Sequence, residues 1–339
     1  MAKDYTLDEL RSELNYYLSP GVTIDWNAWK NEYRKKEHGW LRPTIKRWDK
    51  VFWGRWEYRD KVEANISLYI KDPIPRIEFT KTDYSNTIYT YLVQMLDSIP
   101  KEGQWDETAA GWLYFEYLCD WFLWAFGHPS YKSKPIEPVG CEDVSYILSA
   151  SAENIVAAMI ANPFDYLGQI LYDSRLISSN EFSFNLPSHE SVEIGVNEIS
   201  DTYQNKAIRF PIPVLDSGRQ MLHLSNCFLN ICGQDNRQTL LKICQVQAYL
   251  YAPWVAEPIK AINDNHQDFF WKSNIAGYML TYFNIYDFSV NYKLEGIMFE
   301  PDYDAKHEWS KYSPFCLVRE KSFFSLDPLI LNTSILCKK

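Results

Sequence analysis

The sequence predicts an α/β domain behind a mostly helical, aromatic-rich N-terminal region, with residues 1–140 forming the helical part and residues 141–339 the α/β part. Three observations predict this. Arg209–Trp254 reads as strand, tight turn, helix, second strand ending in an acid, and second helix. Thr108–Phe126 is apolar on nearly every face at ~3.6 residues per turn, as a buried helix requires. Strands that alternate with helices at this pitch suit a parallel sheet, whose ligands sit at the carboxyl ends of the strands.

Thr6 is placed to N-cap a helix over Leu7–Tyr17, with Glu9 at its third position to complete a capping box. Ser19-Pro20-Gly21 ends that helix. Asp25–Lys61 concentrates eleven lysines and arginines, among them Lys46, Arg47, Arg55 and Arg59. Trp26 and Trp29 precede them, and Trp40, Trp48, Trp53 and Trp56 lie between them. Bases alternating with aromatics can follow a phosphate backbone and stack on nucleobases, so these four cations are the candidate nucleic-acid contacts. The alternative is a cationic helix surface whose aromatics turn to the core.

Val62–Phe79, with Pro73 and Pro75, reads as a loop or edge strand. Thr87–Ile99 reads as an amphipathic helix, and Gly127–Gly140 as a proline-rich connection. Two more helices are expected over Asp143–Ala161 and Phe164–Leu176. Ser188 follows Pro187 as the N-cap of a helix over His189–Ile199, with Val192, Val196 and Ile199 inward. Beyond Trp254 the pattern loosens. Gln267–Phe283 looks helical, while Ile285–Phe299, Phe315–Arg319 and Leu326–Leu336 look like strands.

Composition bounds the partners. The net charge of −10 gives no global attraction for nucleic acid, although a local basic face is compatible with it. Thirteen Trp, 24 Tyr and 18 Phe imply packing and interfaces. Seven scattered cysteines, an odd number with no C-x-x-C, argue against a disulfide framework or zinc knuckle. The opening residues are polar, and no apolar run approaches the ~20 residues of a membrane span. A reducing, cytoplasmic protein with no membrane partner is therefore expected. No nucleophile elbow, P-loop or H-E-x-x-H motif occurs, and no metal site is expected. Glu116 and Asp120 are one turn apart but have no histidine at ligand spacing, and His266 and His307 are isolated.

Three stretches carry a family resemblance. Phe184-Asn185-Leu186-Pro187, ahead of a helix, is similar to an F-x-T-P motif. Pro213-Val214-Leu215-Asp216-Ser217-Gly218-Arg219 is similar to a D-P-x-x-G-[ST]-G-x cofactor loop. Gly233-Gln234-Asp235 is similar to the strand-end acid that follows such a loop. Together, and with Cys119–Pro135, Gly140–Asp143 and Asp165–Gly168 upstream, they resemble N6-adenine DNA methyltransferases of the type I restriction-modification subunit kind, as in phage- and plasmid-type members.

The resemblance implies a Rossmann-like class I S-adenosylmethionine methyltransferase fold. It also implies a cofactor site at Pro187, Pro213, Asp216, Ser217, Gly218 and Asp235, with Asp235 on the ribose. The family's loop-opening Asp falls on Ile212, its first loop Gly on Asp216, and its F-x-T-P Thr on Leu186. The catalytic [DNS]-P-P-[YFW] motif is absent, its nearest counterpart being Glu300-Pro301-Asp302-Tyr303, so Glu300 and Tyr303 are the catalytic candidates. These departures imply a methyltransferase-like protein with a degenerate cofactor loop, weak or lost S-adenosylmethionine binding, and a binding or regulatory role with nucleic acid, a protein partner or further copies of itself. Two alternatives stand beside it: an active S-adenosylmethionine-dependent DNA N6-adenine methyltransferase, and a structural or assembly subunit of a larger complex.

Overall fold

The computed structural model describes residues 5–18, 36–65, 72–97, 107–137, 144–173, 186–203, 206–207, 209–212, 215–233, 235, 238–260 and 262. In chain order the described elements begin with helices α1 (Leu7–Tyr16), α2 (Arg42–Phe52), α3 (Arg55–Ala64) and α4 (Asp83–Asp97). Helices α5 (Glu107–Phe126), α6 (Val144–Ala161), α7 (Tyr166–Asp173) and α8 (His189–Thr202) follow. The last are strand β1 (Arg209–Ile212), helix α9 (Arg219–Leu224), strand β2 (Asn230–Gly233), and helices α10 (Gln238–Tyr251) and α11 (Pro253–Ala256).

These elements divide into two compact units that interleave along the chain. One draws on the described residues within Met1–Gly54 and Ile77–Phe182, the other on those within Arg55–Arg76 and Ser183–Lys339. The sequence reading instead divides the chain once, after residue 140.

The first unit is helical. Thr6 Oγ1 accepts the Glu9 N–H at 3.2 Å and Glu9 Oε2 accepts the Thr6 N–H at 2.9 Å, the reciprocal capping box expected at α1. Helix α6 is rich in alanine and serine, so neighbouring backbones approach it closely, and α1, α2 and α4 all pack on it. Its last carbonyls, which have no helical partner, are taken by side chains. Arg11 Nε donates to Ala161 O at 3.0 Å and Trp53 Nε1 donates to Ile160 O at 2.6 Å.

Helix α5 is buried over Phe115–Phe126 except at Glu116 and Asp120, as its all-round apolar sequence requires. It ends at Gly127, φ +86°, with His128 N–H on Leu123 O and Gly127 N–H on Trp124 O. Gly39 N–H and Leu41 N–H take the Trp124 and Ala125 carbonyls, which ties the start of α2 to the end of α5.

The second unit holds the only strands among the described residues. β1 and β2 pair in parallel, Arg209 opposite Asn230 and Ile212 opposite Gly233, with α9 as the crossover. Phe210 stacks on Phe228 at 4.6 Å between ring centroids. Helix α8 starts at the expected cap, Ser188 Oγ accepting the Ser191 N–H at 3.1 Å. From α3, Trp56 stacks on Tyr249 of α10 and donates its indole N–H to Tyr249 O, while Tyr58 meets Trp254 of α11 edge-on.

The Rossmann-like class I methyltransferase fold expected from the sequence is overturned. The described residues are mostly helical, and their extended structure is confined to two strands of four residues each. The strand–turn–helix–strand–helix reading of Arg209–Trp254 is right locally, but a local alternation does not fix the width of a sheet. Among the described residues β2 packs on α11, so a helix rather than a third strand lies against the pair. Pro211 also removes one N–H from β1, which suits a strand with few neighbours. The strands expected over Ile285–Phe299, Phe315–Arg319 and Leu326–Leu336 lie outside the described residues.

Candidate functional site

The candidate site is the turn between β1 and α9. Its residues Leu215-Asp216-Ser217-Gly218 are closed by Gly218 N–H on Leu215 O at 2.8 Å. Two of them have left-handed backbone: Gly218 at φ +87°, and Asp216 at φ +48°, the only non-glycine with positive φ among the described residues. A side chain is tolerated there at a cost, least for Asp and Asn, whose short polar groups bond locally.

The turn is pinned from two directions. Asp216 donates its N–H to Asp235 Oδ2 at 3.0 Å, so the acid just beyond β2 reaches across to the turn beyond β1. Helix α10 holds the other side: Gln247 Nε2 donates to Ser217 O at 2.6 Å and Cys244 Sγ lies 3.4 Å from Asp216 O. A Cβ on Gly218 would come within 2.8 Å of Cys244 Sγ, so this glycine serves both the left-handed backbone and the close approach of α10. A Cβ on Gly233 would meet Leu215 Cδ2 at 2.5 Å, so Leu215 lies directly on the end of β2. Neither Cys244 nor Gln247 is legible as part of a site from spacing alone.

Of the expected cofactor residues, Asp216, Ser217, Gly218 and Asp235 therefore meet around one turn. Ser217 and Asp235 are buried and Asp216 is half-exposed. Pro187 is linked to them through Arg219, whose Nη1 donates to the Pro187 carbonyl at the start of α8. Ile212, where the resemblance expects an acid, is buried and apolar. Pro213, Glu300 and Tyr303 lie outside the described residues.

A second polar cluster sits behind the turn. His189 Nδ1 lies 2.9 Å from His223 Nε2, so the two rings share one proton across the α8–α9 contact. Burial, then the Arg219 charge, then His223, push the His189 imidazole down to about 2. Burial, then Arg219, then Arg76, push His223 down to about 3. Both rings are neutral at ordinary pH. Arg76 Nη2 is held by Glu193 Oε1 of α8. The spacing of His189 and His223, 34 residues, carries no motif, and nothing in the sequence signals the pair.

The four candidate nucleic-acid cations fall in different settings. Lys46 is half-buried and Arg47 exposed on α2 of the first unit. Arg55, in the second unit, is fully buried. Its guanidinium lies 4.3 Å from the Trp254 ring centroid and donates to Ser225 O and Ser225 Oγ. Arg59 donates to Glu257 O at 2.9 Å and pairs with Asp60 and Glu63. Arg55 and Arg59 thus serve the protein's own backbone and carboxylates.

Among the described residues no group of three His, Cys, Asp or Glu side chains is placed to hold a metal ion, and no helix is long and apolar enough to cross a membrane. No family model, curated protein or solved structure matches the chain.

Proposed function

We propose that the chain is a DNA adenine-methyltransferase-like protein that does not transfer methyl groups and acts by binding, as a regulatory or accessory component. One observation carries the reading: the turn that matches the cofactor loop closes on the acid that the resemblance assigns to the ribose. Asp216 falls where the first loop glycine is expected, and its backbone has a glycine's conformation, φ +48°. That agreement supports the residue-by-residue match. Its N–H occupies Asp235 Oδ2, so a ribose hydroxyl competes with an internal hydrogen bond. A carboxylate at position 216 also repels the carboxylate of a methionine moiety. Ile212 provides no acid to hold the amino group.

The reading depends only on the β1–α9–β2–α10 unit and not on a wide sheet. For a nucleic-acid partner, exposed Arg47 with Lys46 on α2 is the supporting feature, while burial removes Arg55 from that face. Titration calorimetry of the full chain with S-adenosylmethionine tests the proposal. The expected result is no binding up to about 1 mM, which leaves less than about 4 kcal/mol of affinity. Micromolar binding, or labelled methyl transfer to DNA by the purified protein, overturns it.

A further inference from the structure

We propose that the His189–His223 pair is an acid-released clasp: uptake of protons by the two rings separates α8 from α9 and loosens the turn Leu215–Gly218 that α9 anchors. The inference is independent of any cofactor reading, since it concerns only the contact between two helices.

His189 is the first residue of α8 and His223 lies near the end of α9. Their ring nitrogens, 2.9 Å apart, can share one proton but cannot both carry one. Arg219 ties the same two helices a second time, through the Pro187 carbonyl that precedes α8. Arg219 also directly follows Gly218, so the clasp and the turn share one anchor.

The surrounding charges oppose a proton on either closed ring. From α9 the facing group is Arg219, and from the segment ahead of α4 it is Arg76. Helix α10, which also packs on α9, has Lys242 as its one charged residue, and Lys242 is buried. On the first two turns of α8 the acids are Glu190, which is exposed, and Glu193, which is already paired with Arg76. Arg219 acts on both rings and Arg76 adds to it at His223, so the rings gain protons by leaving the cluster.

The sign follows. An opened histidine titrates near its ordinary value of about 6.5, whereas the closed rings stay neutral far below it. The clasp's contribution is complete above pH 6.5 and is lost as pH falls from there toward the closed-state values, because the open form binds more protons. With two rings opening together, the open-to-closed ratio rises by several hundred-fold between pH 7.5 and pH 5, as an order of magnitude.

Hydrogen exchange of the full chain at pH 7.5 and pH 5, each rate divided by the intrinsic rate at that pH, tests this. Peptides covering His189–Thr202 and Arg219–Leu224 should lose protection by a hundred-fold or more at pH 5, while Val144–Ala161 of the other unit keeps its protection. The variant His223→Gln should lower the pH slope from two protons toward one. Should that variant not fold, the two-proton slope in the unmodified chain is itself the readout. Unchanged protection of α8 and α9 between the two pH values overturns the proposal, as does an equal loss in α6.

Discussion

Asp216 gives its backbone N–H to the Asp235 carboxylate, 19 residues away, while holding φ at +48°. Two features of the turn are thus coupled. The left-handed backbone at 216 aims the N–H at β2, and the buried acid beyond β2 receives it. Asp235→Ala leaves that donor without its carboxylate and should destabilise the second unit by about 1–2 kcal/mol. Asp235→Asn keeps an acceptor oxygen and should cost well under half as much. Urea unfolding of the two variants measures the difference, and equal losses would show that the contact is not what holds the turn.

Gly218 carries two constraints at one position, a φ of +87° and a Cys244 sulfur 2.8 Å from where a Cβ would stand. Gly218→Ala should therefore cost about 1–2 kcal/mol for the left-handed backbone and a further ~1–3 kcal/mol for overpacking. A cycle with Cys244→Ala separates them. In the double variant the overpacking is relieved and the backbone cost persists, so the coupling energy should be favourable and at least ~1 kcal/mol. Additive losses would place the strain elsewhere.

Local signals were legible wherever they depended on neighbours within one or two turns. Thr6 with Glu9, Ser188 after Pro187, and the all-round apolar face of α5 each named a helix whose bounds the structure reproduces to within a few residues. Asp216, Ser217, Gly218 and Asp235 were named as a group through the family resemblance, and the parallel pairing of β1 with β2 is what brings the strand-end turn and the acid together. The extent of the sheet was not, because β1 and β2 say nothing of how many strands lie beside them. The His189–His223 contact was not legible either, since it joins two helices with no spacing rule between them. Arg55 and Arg47 differ in the same way: both sit in one basic, aromatic run, and only tertiary packing turns one inward.

Those two arginines should respond very unequally to removal. Arg55 is fully buried against Trp254 and Ser225, so Arg55→Ala removes packed stem, hydrogen bonds and the ring contact together. The expected loss is about 3 kcal/mol or more, by the scale of large-to-small core changes. Arg47 is exposed on α2, and Arg47→Ala should change stability by no more than about 0.5 kcal/mol. If the chain binds DNA through α2, the same Arg47→Ala variant should flatten the salt dependence of binding by about one phosphate contact. Guanidinium unfolding and a salt titration of binding provide the two readings, and a stability loss at Arg47 matching that at Arg55 would contradict the assignment.

The junction of α2 and α5 offers a test in the first unit. Gly39 and Gly127 both have positive φ, +82° and +86°, and a Cβ on Gly127 would stand 3.1 Å from the Gly39 Cα. The opposing atom is backbone rather than the end of a flexible side chain, so it cannot swing away. Gly127→Ala thus meets the left-handed penalty and a rigid neighbour, and it threatens the Gly39 and Leu41 hydrogen bonds that cap α5. A loss of about 2–4 kcal/mol is expected from these contributions together. Gly54 supplies the control: its φ is also positive, +73°, but nothing lies within 4 Å of its would-be Cβ. Gly54→Ala should cost only the backbone part, about 1–2 kcal/mol, and thermal unfolding that ranked it equal to Gly127→Ala would remove close approach as the reason for glycine at 127.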